Sequence, residues 1–383
     1  MKTIVSFLML LLLLGAAASP ATGIGKSYIL YVGTYTKAES KGIYGYRFDA
    51  ASGKATPLGL AAETVNPSFL TVDSSGKFLY AVNEISDYKG AASGAVTAFA
   101  IDRGNGKLSR LNEVLSRGAD PCYIAFDKTG KYLLVANYTG GNIAVFPVQR
   151  DGWVGEASAF VQHSGSSVNK QRQEGPHAHW IETTGDNRFA IVADLGLDKL
   201  LLYRFDQARG GLTPNDPAFA PVEAGAGPRH VVFAPNQKFA YSVNELASTV
   251  TAFTFDAAHG VLRSFQTIST LAKGFSGEND TAEIHLHPNG KFLFASNRGH
   301  DSIAVFSIDK TSGRLTPAGD FSTQGKTPRN FEIDPTGARL FVANQDSGNI
   351  VVFRIDPRTG ALGATGQILN VPSPVSLKFV RID

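Results

Sequence analysis

The amino-acid sequence predicts an all-β fold, a propeller of seven four-stranded blades that is closed by pairing the N- and C-terminal strands in one blade. Two observations lead to this prediction. A strand-rich pattern recurs with a period of about 46 to 55 residues, which is typical of propeller blades. The two ends of the chain carry complementary parts of one further repeat. No amphipathic helical stretch interrupts the repeats, which favours an all-β architecture.

Each complete repeat begins with a proline or a small polar residue, continues into a short apolar strand and turns through a segment such as SSGK or PNGK. A second strand then ends in Asn or Asp, and a third strand such as SIAVFSID follows it. Several repeats add a Gly-containing turn and a fourth strand, as in GNGKLSRL. An array of β-sandwiches or a β-helix fits four strands per period less well. The six complete repeats begin at Asn66, Asp120, Gly175, Gly227, Asp280 and Thr327.

The seventh repeat is divided between the two ends of the chain. The C-terminal segment SPVSLKFV has the pattern of a first strand with no second strand after it. The N-terminal segments SYILYVGTYT, GIYGYRFDA and ATPLGLAAE have the patterns of second, third and fourth strands. Joining them completes one blade and pairs the edge hydrogen bonds that would otherwise stay open.

Composition limits the classes of function. The 383 residues are 43% hydrophobic and 18% charged, which is apolar enough for a large core. The formal net charge is only +3 and the basic residues form no stripe, so we expect no nucleic-acid partner. Cys122 is the one cysteine, so no intrachain disulfide and no cysteine-based zinc site can form. We expect Cys122 to be a small buried side chain.

The N-terminus has the pattern of a secretory signal peptide over residues 1–18. Lys2 precedes an apolar run from Ile4 to Leu14, and Ala16 to Ala18 form an A-x-A cleavage site. The apolar run is short for a membrane span, although a signal anchor is the alternative. We therefore expect residues 19–383 to form a single propeller domain that is exported to the periplasm or the extracellular space, with no stable membrane span after cleavage.

In a propeller, the start of the first strand and the end of the second strand of every blade reach the same mouth of the central channel. A residue type that recurs there in nearly every blade is interpreted as structural. Short polar side chains recur at the end of the second strand, where they are expected to fix the following turn. They are Thr34, Asn83, Asn137, Asp194, Asn244, Asn297 and Asn344.

Ionisable residues confined to a few blades are the candidates for a functional site. They gather in the third to sixth complete repeats, with Arg229 and Glu245 foremost among them. Arginine can hold a carboxylate or phosphate with two hydrogen bonds and can stabilise an oxyanion. Glutamate and histidine can exchange a proton with water or with a leaving oxygen. The sequence therefore predicts anion or acid–base chemistry on one side of the mouth.

Other ionisable residues receive different interpretations. His177 and His179 alternate along a strand and could together bind a metal ion, but no third ligand is identifiable, so we expect no metal and no cofactor. His285 and His287 lie farther along a strand and are expected to have packing roles. Glu84 is a further candidate carboxylate at the mouth.

Several motifs together resemble one known family over nearly the whole mature chain. These are YVGTYT, PHAHW followed by ADLGLDKL, GPRH, YSVNE and SNRGHDSIAVF. They are similar to the lactonase family of seven-bladed propellers, which includes the propeller type of 6-phosphogluconolactonase and the fungal carboxy-cis,cis-muconate cyclases. The resemblance implies a hydrolase that opens a sugar lactone without a cofactor or a metal.

The resemblance also implies roles for individual residues. The implied catalytic set is His179 of PHAHW, Arg229 of GPRH, Glu245 of YSVNE and Arg298 of SNRGHDS, with His177 as a close substitute for His179. Water would attack the lactone carbonyl, with Glu245 or His179 as the general base. Arg229 or Arg298 would stabilise the developing oxyanion.

Further implied contacts and alternatives concern the substrate. Arg329 and His230, together with His177, are the candidate substrate contacts. The expected partner is a small anionic lactone, and export favours an unphosphorylated sugar lactone or another extracytoplasmic lactone. Two alternatives remain. One is a muconate-type lactonising cyclase, and the other is a non-catalytic propeller that binds a ligand or a protein at its mouth.

Overall fold

The computed structural model of the protein describes residues 26–37 and 39–382, and the predicted signal peptide lies outside the described residues. Twenty-eight strands form seven four-stranded antiparallel sheets. In every sheet, each strand pairs with its neighbour in the chain, and one sheet combines the last strand with the first three. The predicted seven-bladed propeller is therefore confirmed.

The blades are numbered from the N-terminus and contain the following strands. Blade 1 contains β1 (Ser27–Thr34), β2 (Gly42–Asp49), β3 (Lys54–Glu63) and the C-terminal β28 (Pro374–Arg381). Blade 2 contains β4 (Pro67–Val72), β5 (Phe78–Asn83), β6 (Ala95–Ile101) and β7 (Leu108–Leu115). Blade 3 contains β8 (Pro121–Phe126), β9 (Tyr132–Asn137), β10 (Asn142–Pro147) and β11 (Ala159–Gln162). Blade 4 contains β12 (Ala178–Thr183), β13 (Phe189–Asp194), β14 (Lys199–Asp206) and β15 (Gly211–Pro221).

In blades 5 to 7 the strands follow one another from the channel outward in chain order. Blade 5 contains β16 (Pro228–Phe233), β17 (Phe239–Asn244), β18 (Thr249–Asp256) and β19 (Val261–Ser269). Blade 6 contains β20 (Asp280–Leu286), β21 (Phe292–Arg298), β22 (Ser302–Ile308) and β23 (Leu315–Ser322). Blade 7 contains β24 (Pro328–Ile333), β25 (Arg339–Asn344), β26 (Asn349–Ile355) and β27 (Leu362–Asn370). A short 3₁₀ turn, Leu195–Leu197, follows β13.

Strand β28 closes the ring by pairing with β1, from Tyr28 opposite Arg381 to Thr34 opposite Pro374. This pairing supplies the hydrogen bonds that both chain ends would otherwise leave open. Between blades 1 and 2, the Ser376 hydroxyl of β28 accepts a hydrogen bond from the backbone N–H of Leu70 in β4 at 3.1 Å. The two ends of the chain are thus joined to each other and to blade 2.

Buried side chains fill the spaces between adjacent blades. Between blades 7 and 1, for example, the ring of Phe48 packs edge-on against that of Phe341, with centroids 5.4 Å apart.

The predicted polar column fixes the ends of the second strands. Asn137 Nδ2, for instance, donates to the backbone carbonyl of Ser116 at 3.0 Å, and Asn297 Nδ2 donates to that of Thr270 at the same distance. Asn137 Nδ2 also donates to Asn142 Oδ1 at 2.7 Å across the following turn, so the structural interpretation of this column is confirmed.

A β-bulge interrupts the innermost strand of every blade near its start, where the strand register shifts. A bulge leaves a residue outside the ladder and redirects its side chain. In blade 6 the unpaired residues are Ala282 and Glu283 opposite Ser296, so the innermost strand again has one extra residue. In the other blades the shifted residues are Ser68, Cys122, His179, Arg229, Arg329 and Val375.

Among the described residues, we find no helix with the length and apolar character that crossing a membrane requires.

Candidate active site at the channel mouth

Most of the bulged residues converge on one narrow space at the centre of the ring. Its lining includes Ser68, Cys122, Arg229, Arg329 and Val375, which come from five different blades. Because each of these residues stands at the same position of its blade, the repeat itself brings them together. The side chains differ in chemistry around the ring, so the mouth has a small and apolar side and a charged side.

The charged side is built around the carboxylate of Glu245, which directly follows β17. Its Oε2 accepts hydrogen bonds from Arg229 Nε at 2.9 Å and lies 3.0 Å from Arg298 Nη2. Its Oε1 accepts a hydrogen bond from Arg172 Nη2 at 2.5 Å. Arg172 Nη1 also lies 3.7 Å from Asp280 Oδ2. We call these five residues the Glu245 cluster.

The cluster shifts the proton equilibria of its members. Burial by itself would raise the pKa of Glu245, but Arg298, Arg229 and Arg172 outweigh it and lower this pKa to about 2. Burial and the neighbouring Arg298 and Arg329 lower the pKa of Arg229 to about 10, which still leaves its guanidinium charged at neutral pH. Glu245 is therefore an ionised carboxylate whose two oxygens are both committed to guanidinium groups.

Two histidines and a tyrosine form the next part of the rim. The ring of His177 stacks on that of Tyr138 with a centroid separation of 4.5 Å, and His177 Nε2 lies 3.3 Å from Glu174 Oε1. His179 occupies the bulge of blade 4, and its Nδ1 is buried without a hydrogen-bond partner among the described residues. Burial and the positive charge of Arg229 hold the pKa of His179 well below its usual range. His179 is thus a neutral imidazole at neutral pH.

Contacts with the end of β13 and the 3₁₀ turn after it fix the backbone that leads to His177. Asp194, the blade-4 member of the polar column, accepts a hydrogen bond from the backbone N–H of His177 at 2.8 Å. Asp194 also pairs with the buried ring of His163 at 2.6 Å. At Gly196, an added Cβ would lie 1.9 Å from the backbone oxygen of Gly175, so the close approach of the two segments requires glycine. The 3₁₀ turn after β13 therefore holds the segment that leads to His177.

Arg329 lies on another side of the mouth with Tyr35 and Glu84. Its guanidinium lies 5.2 Å from the centroid of the Tyr35 ring, and its Nη2 lies 4.0 Å from Glu84 Oε2. The Tyr35 hydroxyl donates to Glu84 Oε1 at 2.9 Å. No hydrogen bond from the Arg329 side chain to another described residue is formed, so its donors are available to a ligand. Glu84 does lie at the mouth, as the sequence suggested.

His230 lies in a layer beneath the mouth. Its Nδ1 is 2.8 Å from Glu283 Oε1, and its Nε2 is 3.4 Å from Arg229 Nη1. Glu283 Oε2 accepts a hydrogen bond from Asn330 Nδ2, and Asn330 Oδ1 accepts one from the backbone N–H of Leu377 at 3.0 Å. This chain of contacts crosses blades 5, 6, 7 and 1 and separates the mouth from a second cavity below it.

The second cavity has a volume of about 370 Å³ and lies along the inner strands beyond this layer. Its lining includes His285, whose side chain is 30% exposed. The predicted packing role of His285 is therefore wrong. His285 pairs with Phe294 as Thr71 pairs with Tyr80 and Glu332 with Phe341, and these equivalent residues of the innermost strands all line the same cavity. His287 is buried as predicted, with Nε2 2.8 Å from the backbone oxygen of Gly337.

Cys122 is a free, buried thiol, as the sequence predicts. Burial raises its pKa, so the side chain is an uncharged thiol at neutral pH. Its Sγ lies 3.6 Å from the backbone oxygen of His179. Cys122 therefore contributes a small and inert surface to the mouth. Within the described ranges 26–37 and 39–382, no three His, Cys, Asp or Glu side chains are grouped in a way that could hold a metal ion.

Sequence reasoning did not select Arg172, Tyr138 or Asp280 as site residues. Arg172 lies in the connection between β11 and β12, outside the repeated pattern on which the selection depended. The connection itself could have indicated a functional residue. It spans residues 163–177 and is the longest between two consecutive described blades, and long loops are often functional. Tyr138 and Asp280 occupy the expected positions at the mouth. They were not selected, because the sequence argument relied on arginine, glutamate and histidine side chains.

Comparison with known proteins agrees with this architecture. The family model described as lactonase, seven-bladed β-propeller, matches residues 29–379. A 6-phosphogluconolactonase from Bacillus subtilis is 37% identical over 308 residues, which is 80% of this chain and 85% of the relative. One from Formosa agariphila is 36% identical over 309 residues, or 80% of this chain and 86% of the relative.

A solved structure is also similar to the protein over nearly its whole length. The periplasmic gluconolactonase from Pseudomonas aeruginosa superposes with a TM-score of 0.87 at 37% sequence identity. The match covers 93% of this chain and 100% of the other chain. With the family model covering all seven blades, the chain belongs to the lactonase family of seven-bladed β-propellers.

Proposed function

We propose that the protein is a lactone hydrolase that opens a sugar lactone to the corresponding acid by attack of water at the channel mouth. The observation that carries the proposal is a buried carboxylate held by three guanidinium groups on the same mouth as a neutral imidazole. Such an arrangement combines fixed positive charge for an oxyanion with a group that can accept a proton. The names of the relatives, 6-phosphogluconolactonase and gluconolactonase, support the same activity.

We assign the general base to His179 and not to Glu245. Both oxygens of Glu245 already accept hydrogen bonds from arginines, so neither is available to take a proton from water. His179 is neutral at neutral pH, because its pKa is depressed, and its buried Nδ1 has no partner among the described residues. Glu245 then serves to hold the guanidinium groups in place.

Positive charge for the developing oxyanion comes from Arg229 and Arg298 in this proposal. Both reach the mouth from rigid strands, and both are fixed by a second hydrogen bond to a backbone oxygen, of Ala282 and Thr281 respectively. Donors fixed in a buried site stabilise a transition state without reorganising during the reaction. Arg329, whose donors have no hydrogen-bonded partner among the described residues, supplies a contact to the substrate together with His177.

We further propose that the protein is exported and acts on a sugar lactone outside the cytoplasm. The signal-peptide pattern of residues 1–18 and the similarity to a periplasmic gluconolactonase support export. Processing would leave residues 19–383 as one propeller domain. Fractionation of expressing cells, combined with N-terminal sequencing of the purified protein, tests the proposal. Cytoplasmic protein that retains Met1 would contradict it.

The activity is tested by assaying the purified mature protein on 6-phosphogluconolactone, gluconolactone and muconolactone, with spontaneous hydrolysis subtracted. We expect turnover of at least one of the two sugar lactones and its loss in His179→Gln. Turnover of muconolactone alone would favour a muconate-type cyclase. Failure to hydrolyse any of the three would favour a propeller that binds a ligand or protein without catalysis.

A further inference from the structure

One arginine of the Glu245 cluster, Arg172, lies in the connection between blades 3 and 4 and not in a strand. Arg229 lies in the innermost strand β16 and Arg298 ends the second strand β21, whereas Arg172 lies in the connection of residues 163–177. Gln173, the residue after it, is fully buried. Gln173 Nε2 donates to Asp198 Oδ1 at 2.7 Å and to the backbone oxygen of Leu195 at 2.8 Å. The backbone that carries Arg172 is therefore anchored.

The Arg172 side chain is the accessible member of the cluster arginines. It is 37% exposed, compared with 3% for Arg229 and 15% for Arg298. Its guanidinium uses Nη2 on Glu245 and on the Tyr138 hydroxyl, while Nη1 only approaches Asp280 at 3.7 Å. Arginine has five N–H donors in a planar fork, so donors of Arg172 remain for a ligand that enters from solvent.

The charges of the Glu245 cluster favour an anionic ligand. Three guanidinium groups face two carboxylates, which leaves a surplus of one positive charge. Burial and the nearby Glu245 raise the pKa of Asp280, so the second carboxylate is the less firmly ionised of the two. Arg229 and Arg298 alone already provide Glu245 Oε2 with two cationic partners. Arg172 can therefore keep Nη2 on Glu245 Oε1 and still offer its other donors to a substrate.

We propose that Arg172 is a specificity-determining residue that binds a negatively charged substituent of the lactone, a carboxylate or a phosphate remote from the ring carbonyl. This inference rests on the proposed lactone hydrolysis and adds to it the residue that recognises the acidic substituent of the substrate. A carboxylate-bearing lactone is compatible with an exported enzyme. A planar guanidinium can bind a carboxylate or a phosphate with two parallel hydrogen bonds, so Arg172 could recognise either substituent in the same way.

The experiment compares three lactones with wild type, Arg172→Met and Arg172→Lys. Gluconolactone is the neutral substrate, glucarolactone carries a carboxylate, and 6-phosphogluconolactone carries a phosphate. The readout is the ratio of kcat/KM for each acidic lactone to kcat/KM for gluconolactone, which cancels a loss common to all substrates. Loss of a charge-assisted hydrogen bond predicts a fall of this ratio by roughly 10- to 100-fold in Arg172→Met, mostly through KM. Arg172→Lys should recover part of it.

Lys170→Met is the matched control, because Lys170 lies in the same connection and its Nζ contacts the backbone oxygen of Ser167 at 3.2 Å. We expect it to preserve the ratio. Whichever acidic lactone shows the larger fall identifies the substituent. An unchanged ratio for both acidic lactones in Arg172→Met, with gluconolactone still hydrolysed, overturns the assignment of Arg172 and leaves the proposed function intact.

A separate binding measurement covers the case in which wild type hydrolyses none of the lactones, which would refute the proposed function. Glucarate and 6-phosphogluconate are then titrated calorimetrically into wild type, Arg172→Met and Lys170→Met. Binding to wild type and Lys170→Met, weakened at least tenfold in Arg172→Met, supports anion recognition by Arg172. Equal binding to all three proteins, or binding to none, overturns it.

Discussion

Replacing Glu245 by Gln removes one negative charge from the centre of three guanidinium groups and changes the size of the side chain little. Arg229 is 3% exposed and its backbone is held by β16, so it cannot move into solvent to recover hydration. Removing one partner of a buried ion pair typically costs about 3–5 kcal/mol because the other charge stays buried and unpaired. We expect the free energy of unfolding to fall by about this amount at pH 7.

The same substitution has a defined pH dependence. The pKa of Glu245 is lowered from 4.5 to about 2 in the folded protein. A depressed folded pKa means that ionised Glu245 contributes stability above pH 4.5, and that this contribution is lost as the pH falls toward 2. The shift corresponds to about 3 kcal/mol. The stability difference between wild type and Glu245→Gln should therefore be largest near pH 7 and shrink by about 3 kcal/mol between pH 4.5 and pH 2.

Urea denaturation at a series of pH values measures this difference. Glu283 also has a folded pKa of about 2, but it is present in both proteins, so its titration cancels in the comparison. The reasoning would be refuted by a variant whose free energy of unfolding lies within about 1 kcal/mol of that of wild type at pH 7 and falls in the same way between pH 4.5 and pH 2. In that case, the arginines would not hold Glu245 as an ionised group. Lactone turnover of the variant, measured in parallel, should fall at least a hundredfold.

Three further outcomes follow from the site. Arg229→Ala should lower kcat on a sugar lactone at least about a hundredfold, and an unchanged rate would remove Arg229 from the oxyanion contact. Because the pKa of His179 lies well below 6.5, kcat/KM of wild type should stay level from pH 8 to 6.5 and decline only in more acidic solution. A decline centred near pH 6.5 would contradict this assignment. Cys122 should resist iodoacetamide in the native protein and react after unfolding, as mass spectrometry can show; rapid native labelling would disprove its burial and raised pKa.

Much of the fold was predictable because a propeller repeats one local pattern. Each blade shows the same turn, the same second strand and the same polar terminal residue, so several weak signals reinforce one another. Asn137 and Asn297 have the predicted structural role, and β28 pairs with β1 as the divided repeat indicated. Comparison of equivalent positions also separated the unusual residues Arg229, Glu245 and Arg298, which the structure brings into one cluster.

The errors have two separate causes. Strand alternation assigns His285 to one face of its strand, but it could not indicate that the centre of the ring leaves a cavity on that face. Arg172 lies in the connection of residues 163–177, which is longer than the connections between the other blades, so comparison of repeats could not detect it. The choice between Glu245 and His179 as general base depended on which hydrogen bonds and charges surround each group, and spacing in the sequence carries no such information.

The sequence alone determined the number of blades, the closure of the ring and the end of the channel at which the unusual side chains gather. These properties follow from short-range patterns, because strand alternation and turn residues act over a few positions. Only the tertiary structure decided which oxygens of Glu245 meet which arginines, that the pKa of His179 is depressed, and that Arg172 remains accessible. Such properties depend on distances between blades and on exclusion of water, and both arise only when the ring is complete.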